Sequence, residues 1–252
     1  MNSIETGSYE FFRDPNTTRL FTTLTMMPKA VREHIRYSGE ELVESDLNNC
    51  MPYLAIAFFL KAPYKLLSIE ANLEEKNPVL YTDQYSAERE ELMALLKKYH
   101  SGDLTDDIRL YIRLVASGKL YGYFQEKYPQ IASDRATLKE MFFYGLFDKV
   151  DSKSRLNKAL KEDFPNVMRV FDLVKTGFEK TNREGRTRDE QGNALCMILY
   201  RAESYMMIDR VARRFYDEHR TAPIFTVHDA ILTTPNHKPI LDKILKLSLI
   251  HI

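Results

Sequence analysis

Apolar residues recur along most of this chain at the three-to-four-residue spacing of an amphipathic helix, and in two places they alternate as in a strand. Glu41-Leu-Val-Glu-Ser-Asp46 reads as a short alternating strand, after which Pro52 opens an apolar helix to about Leu60. Leu92, Leu95, Leu96 and Tyr99 predict a helix over Ser86 to His100, ended by Ser101-Gly102-Asp103. A second helix is predicted over Asp106 to Ala116, where the paired Asp106 and Asp107 suit the positive end of the helix. Ser117-Gly118 separates it from an apolar stretch over Tyr121 to Tyr128. Ser133 is the expected N-cap of the next helix, which runs to about Phe147. A long helix over Asn193 to Tyr216 gathers Leu195, Ile198, Leu199, Ala202, Ile208, Ala212 and Phe215 on one face. Ile224 to Thr233 is two β-rich runs meeting at His228-Asp229, a tight hairpin. Two strand regions among many helices give the α+β class. Leu247-Ser-Leu-Ile-His-Ile252 shows no capping or turn pattern and reads as a truncation or a non-native tail.

At 252 residues the chain is expected to form one large or two small domains, at about 150 residues each. Hydrophobic residues at 44% with only 9 Gly and 10 Pro place it among globular proteins rather than disordered or collagen-like ones. No run approaches the roughly 18 apolar residues of a membrane span, and Met1 is followed by Asn-Ser-Ile-Glu rather than a basic then apolar leader. A soluble, cytoplasmic protein without a membrane partner is expected. Cys50 and Cys196 each sit in an apolar stretch and read as small core residues rather than as a disulfide or zinc site. Lys plus Arg and Asp plus Glu both total 36, so the global field does not announce a nucleic-acid partner and only local clusters could. Arg183, Arg186 and Arg188 form one such cluster, and Arg210, Arg213 and Arg214 another. Solvated arginines on a hairpin and a helix face are the competing account.

Asp46 ends one strand and Asp229 sits at a hairpin tip. Carboxylates at strand ends of one sheet can converge on a pair of Mg²⁺ ions, which take hard oxygen ligands and clamp the attacking and leaving oxygens of phosphoryl transfer. Asp is also a common turn residue. Arg135, Lys139, Phe143 and Phe147 follow at i, i+4 steps, so two cations and two aromatics line one helical stripe. Such a stripe either grips a triphosphate and stacks a base, or is a core-facing Phe stripe with snorkelling basic residues.

In order, these pieces resemble the polymerase module of family A DNA polymerases, the group of bacterial polymerase I and several phage replicases. Asn16-Thr-Thr-Arg-Leu20 resembles the family's Thr-Gly-Arg-Leu segment, which implies a primer-template contact for Arg19. Asp46-Leu-Asn-Asn-Cys-Met-Pro52 resembles motif A, implying that Asp46 and the backbone carbonyl of Leu47 hold metal. Arg135-Ala-Thr-Leu-Lys139, with Phe143, resembles motif B and implies binding of the incoming nucleotide. Thr226-Val-His-Asp-Ala230 resembles motif C, implying that Asp229 is the second metal ligand and that His228 lies near the primer end. Gly185-Arg-Thr-Arg188 resembles a DNA-binding hairpin, bringing in Arg186 and Arg188, and Arg201 stands where the long helix usually carries a Gln.

The resemblance implies a palm whose small antiparallel sheet carries the two Asp, in parts over residues 1–60 and 166–252, around helical fingers over 61–165. It leaves no room for a proofreading exonuclease and little for a thumb, which a separate chain could supply. The implied activity is template-directed transfer of dNMP to a primer 3′-hydroxyl, with primer-template DNA and dNTP as partners and two Mg²⁺, or Mn²⁺, as cofactors. A role in replication, in repair or in a phage or mobile element would follow. The pattern also departs from the family: Met51 replaces the sugar-sensing Glu of motif A, Ala230 the third acidic residue of motif C, and Phe147 the motif B Tyr. A degenerate module that binds DNA or a partner protein without turnover is therefore the alternative. A metal-dependent nuclease or phosphatase would leave the Arg135-Lys139-Phe143 stripe unexplained.

Overall fold

The computed structural model describes residues 11–47, 49–60, 86–176, 179–181, 187–189 and 191–249. It is an α+β protein with small antiparallel sheets, and among the described residues no helix is long and apolar enough to cross a membrane. The chain divides into two compact units, Met1–Cys50 with Tyr200–Ile252, and Met51–Leu199. These boundaries lie at 50 and 200, where the sequence suggested 60 and 165. The helix Pro165–Lys175 accounts for the later boundary, because it packs on the helices Ser86–His100 and Asp106–Ala116 of the second unit.

The first unit opens with β1 (Phe11–Arg13) paired to β2 (Leu20–Thr22), then β3 (Arg36–Tyr37) paired to β4 (Glu40–Glu41), then β5 (Val43–Asp46). The second unit holds β6 (Glu179–Thr181) and β7 (Thr187–Asp189). Back in the first unit, β8 (Phe225–Val227) and β9 (Ala230–Thr233) form the expected hairpin, and β5 adds to it in the order β5-β9-β8. Only two residues, His228 and Asp229, join β8 to β9, and His228 takes a φ of 54°. That left-handed conformation favours Asn, Asp and His among side-chain-bearing residues. The helix Lys238–Leu249 packs on β5, and Ser45 donates to Asp242 Oδ1 at 2.6 Å. Leu247 to Leu249 therefore close a regular helix, which corrects the reading of an unpatterned tail from Leu247; residues 250–252 lie outside the described residues.

Aromatic side chains build the core of the second unit. Phe59 meets Tyr99, Tyr111 and Phe171 at centroid distances of 5.9, 6.2 and 6.1 Å, and Phe124 meets Phe142 and Phe164 at 5.0 and 5.7 Å. These separations suit edge-to-face and tilted rings, which add to the burial of large apolar area. Asp107 reaches beyond its own helix: its carboxylate accepts from the Asn166 and Val167 amides at the start of Pro165–Lys175, at 2.8 and 3.4 Å. Burial opposes its ionisation, but these bonds and those from Thr105 and the Asn166 side chain hold its pKa below the ordinary value. The helix Arg135–Phe147 is capped by Asp134, which accepts from the Thr137 amide at 2.9 Å, and not by Ser133. Gly145 permits close packing, since a Cβ there would sit 2.7 Å from Leu156 Cδ2.

The predicted long helix is three consecutive segments: Gln191–Ser204 is α, Tyr205–Ala212 is π and Arg213–Glu218 is α again. Periodicity at 3.6 residues cannot disclose the wider turn, because Met206, Met207, Val211 and Ala212 still bury apolar side chains.

Candidate catalytic carboxylates and their surroundings

Strand pairing brings Asp46 and Asp229 to adjoining positions of the first unit. In the β5–β9 register Asp46 stands opposite Ala230, the residue after Asp229, and the Leu47 amide donates to the Asp229 carbonyl at 3.1 Å. Ser45 is buried while Glu44 and Asp46 are exposed, so the alternation of β5 turns Asp46 away from the face that bonds Asp242. Asp229 is half-buried and Leu47 buried.

A buried polar cluster borders the hairpin tip. Arg19 donates from Nε and one terminal nitrogen to the two oxygens of Glu203 at 2.8 and 2.7 Å, and its guanidinium carbon lies 3.4 Å from the centroid of the Tyr200 ring. The Cys50 thiol points at the same carboxylate, 3.8 Å from Oε2. Burial pushes the Glu203 carboxyl above its ordinary pKa, and nearby Asp229 adds to this while the Arg19 bonds oppose it. Burial, with Glu203 and Asp229 beside it, also raises the Cys50 thiol well above its usual value, so this sulfur remains protonated and unreactive. His228 stacks edge-on against Phe21 at 5.6 Å, and burial followed by the Arg19 charge lowers its pKa.

No protein-family model matches this chain, and no curated protein matches it.

The remaining predicted site residues fall as follows. Arg135 and Lys139 are exposed on the second unit, Phe143 is 42% exposed, and Phe147 meets Phe143 edge-to-face at 5.0 Å. The buried side of that helix is Leu138, Phe142, Gly145 and Leu146, so the basic-aromatic stripe does not serve the core. Met51 is buried. Arg201 donates from Nε to the Asn16 carbonyl at 2.6 Å. Arg188 lies on β7, whereas Arg183 and Arg186 lie outside the described residues. Glu203 is a site residue that none of the motifs singles out. Its spacing carried the signal, since it follows Leu199 by four residues and precedes Met207 by four on the buried face.

Among the described residues no group of three or more His, Cys, Asp or Glu is arranged to hold a metal ion. The donor chemistry of Asp46 and Asp229 nevertheless fits Mg²⁺, which binds through one or two carboxylates and completes its shell with water and substrate phosphate. The nearby thiol and imidazole are softer donors, and the thiol is held in its protonated form.

Proposed function

We propose that this protein is a template-directed nucleotidyl transferase that adds dNMP to a primer 3′-hydroxyl, with Asp46 and Asp229 as the catalytic pair. The observation that carries the proposal is the β5–β9 pairing, which puts Asp46 opposite the residue after Asp229 on neighbouring antiparallel strands. Two Mg²⁺ ions held by these carboxylates and the Leu47 carbonyl would activate the hydroxyl and steady the leaving pyrophosphate. Positioning and charge neutralisation accomplish most of such a reaction, and no protein nucleophile is required. Arg135 and Lys139, one turn apart on an exposed face, would hold the triphosphate, with Phe143 as the stacking surface for the base. His228, at the hairpin tip, would lie near the primer end.

A second reading, a module that binds DNA without turnover, is favoured by Met51 being buried and by Ala230 beside Asp229. Primer extension separates the two. Purified protein should incorporate dNMP with Mg²⁺ or Mn²⁺ and lose this activity on Asp229→Asn. Salt-sensitive DNA binding without incorporation under either ion would overturn the enzymatic reading.

A further inference from the structure

Four contacts fasten the segment that resembles a DNA-contacting loop onto the long helix. Arg13 donates to both oxygens of Asp209 at 3.1 and 2.5 Å, Ser204 Oγ donates to the Thr18 carbonyl at 2.5 Å, Arg201 donates to the Asn16 carbonyl, and Arg19 holds Glu203 through two bonds. We infer that Arg19 is a positioning residue of the candidate site rather than a ligand of nucleic-acid phosphates: with Glu203 it forms a buried ion pair beside Asp229 that sets the charge environment of that carboxylate. The inference rests on the reading of Asp46 and Asp229 as a cation-binding pair.

An arginine that reads phosphate presents the edge of its planar fork to solvent. In Arg19 the Nε edge faces Glu203, one face lies over Tyr200, and 17% of the side chain remains exposed. The Glu203 side chain is 1% exposed. Turning Arg19 outward to a phosphate would strand that carboxylate without its counter-charge in a site of low dielectric, where removal of one partner is far costlier than loss of a surface pair. The pair also reaches both sides of the hairpin. Cys50, whose thiol reaches Glu203 Oε2 at 3.8 Å, stands three residues after Leu47, whose amide bonds the Asp229 carbonyl, and Phe21, two residues after Arg19, packs edge-on against His228 at 5.6 Å. The position after Asp229 in β9 is the apolar Ala230, so the third carboxylate in this neighbourhood, after Asp46 and Asp229, comes from the helix instead of the strand, already matched by a cation.

Because the two members carry opposite charge, neutralising each should act on Asp229 with opposite sign, which a merely structural pair would not do. Calorimetric Mn²⁺ titration of the full chain without DNA tests this. Glu203→Gln leaves the Arg19 cation unmatched and should weaken Mn²⁺ binding by about threefold or more, whereas Arg19→Gln should tighten it by a similar factor. The double variant should return to within about twofold of the parent. Arg19→Lys keeps the charge without the fork and should bind Mn²⁺ like the parent, which covers an Arg19→Gln chain that fails to fold. Shifts of the same sign in both single variants, or no shift, would overturn the inference. A second arm measures binding of a labelled primer-template duplex against salt. The double variant should keep the parental log–log slope, and a slope reduced by about 0.9 would return Arg19 to phosphate contact and overturn the inference. If Asp229→Asn does not alter Mn²⁺ binding, the cation-pair reading itself fails. The pair is then judged by urea unfolding, where single losses that add in the double variant refute it and losses that do not add sustain it.

Discussion

The two units spend their buried volume differently. The second unit is organised around aromatic side chains such as Phe59, Tyr111, Phe124 and Phe171, all of which are less than 3% exposed. The first unit places Glu203, Ser204, Ser45, Thr233 and Thr234 among its buried residues, and fastens Arg19 to Glu203 next to the carboxylate at the hairpin tip. An apolar core tolerates no charge but needs no fixed direction. A buried ion pair costs desolvation and returns little net stability, so its presence is better explained by orientation of neighbouring groups than by strength. The contrast therefore assigns stability to the second unit and geometry to the first.

The sharpest way to break this contrast is to remove a ring from the aromatic core. Phe171→Ala should cost about 3–5 kcal/mol in urea unfolding followed by circular dichroism. Asp229→Asn, by the same measurement, should leave stability within about 0.5 kcal/mol. A smaller loss for Phe171→Ala than for Asp229→Asn would reverse the assignment.

The second unit also buries Asn157, Asp172 and Lys175, and Lys175 sharpens the comparison as a fully buried lysine that donates to the Asp148 carbonyl at 2.9 Å. Burial lowers its pKa from 10.5 to about 8, with nearby Asp172 opposing. The folded state thus releases this proton before the unfolded state does. Between about pH 8 and 10.5 the unfolded chain binds more protons, so stability should rise with pH across that window, by on the order of 3 kcal/mol in total. Lys175→Met should abolish this component, read as the difference between parent and variant unfolding curves at pH 7.5, 9 and 10. Parallel pH profiles would show that the buried ammonium retains its ordinary titration.

The smallest expected effect on stability is at the exposed stripe. Lys139→Ala should move the unfolding midpoint hardly at all, less than about 0.5 kcal/mol, while raising the dNTP concentration needed for half-maximal extension about tenfold. An equal loss of dNTP use and stability would make Arg135–Phe147 a structural helix alone.

The sequence disclosed most where apolar residues repeat locally. Ser86–His100 and Asp106–Ala116 have the bounds their periodicity predicts, and the turn at His228-Asp229 is bracketed by residues of high strand preference. The Asp134 cap was misplaced by one residue because Ser133 and Asp134 are both good acceptors, and only the bond from Thr137 distinguishes them. The β1–β2 hairpin has no Gly in its connection to announce it. Asp46 and Asp229 could be matched as strand-end carboxylates, since each belongs to its own local pattern. The Arg19–Glu203 pair could not, because its members are 184 positions apart and neither belongs to a repeating pattern that points to the other.

The π segment Tyr205–Ala212 also bears on how this chain tolerates changes of length. Its hydrogen bonds reach five residues back instead of four, so each hydrogen-bonded ring encloses one residue more than in the α segments on either side. Deleting one residue there lets the helix tighten to ordinary α pitch while the flanking turns keep their phase. The same deletion within Gln191–Ser204 would rotate every later side chain out of its place. A variant of this protein shortened by one residue is therefore best accommodated between Tyr205 and Ala212, where the helix already holds its surplus residue.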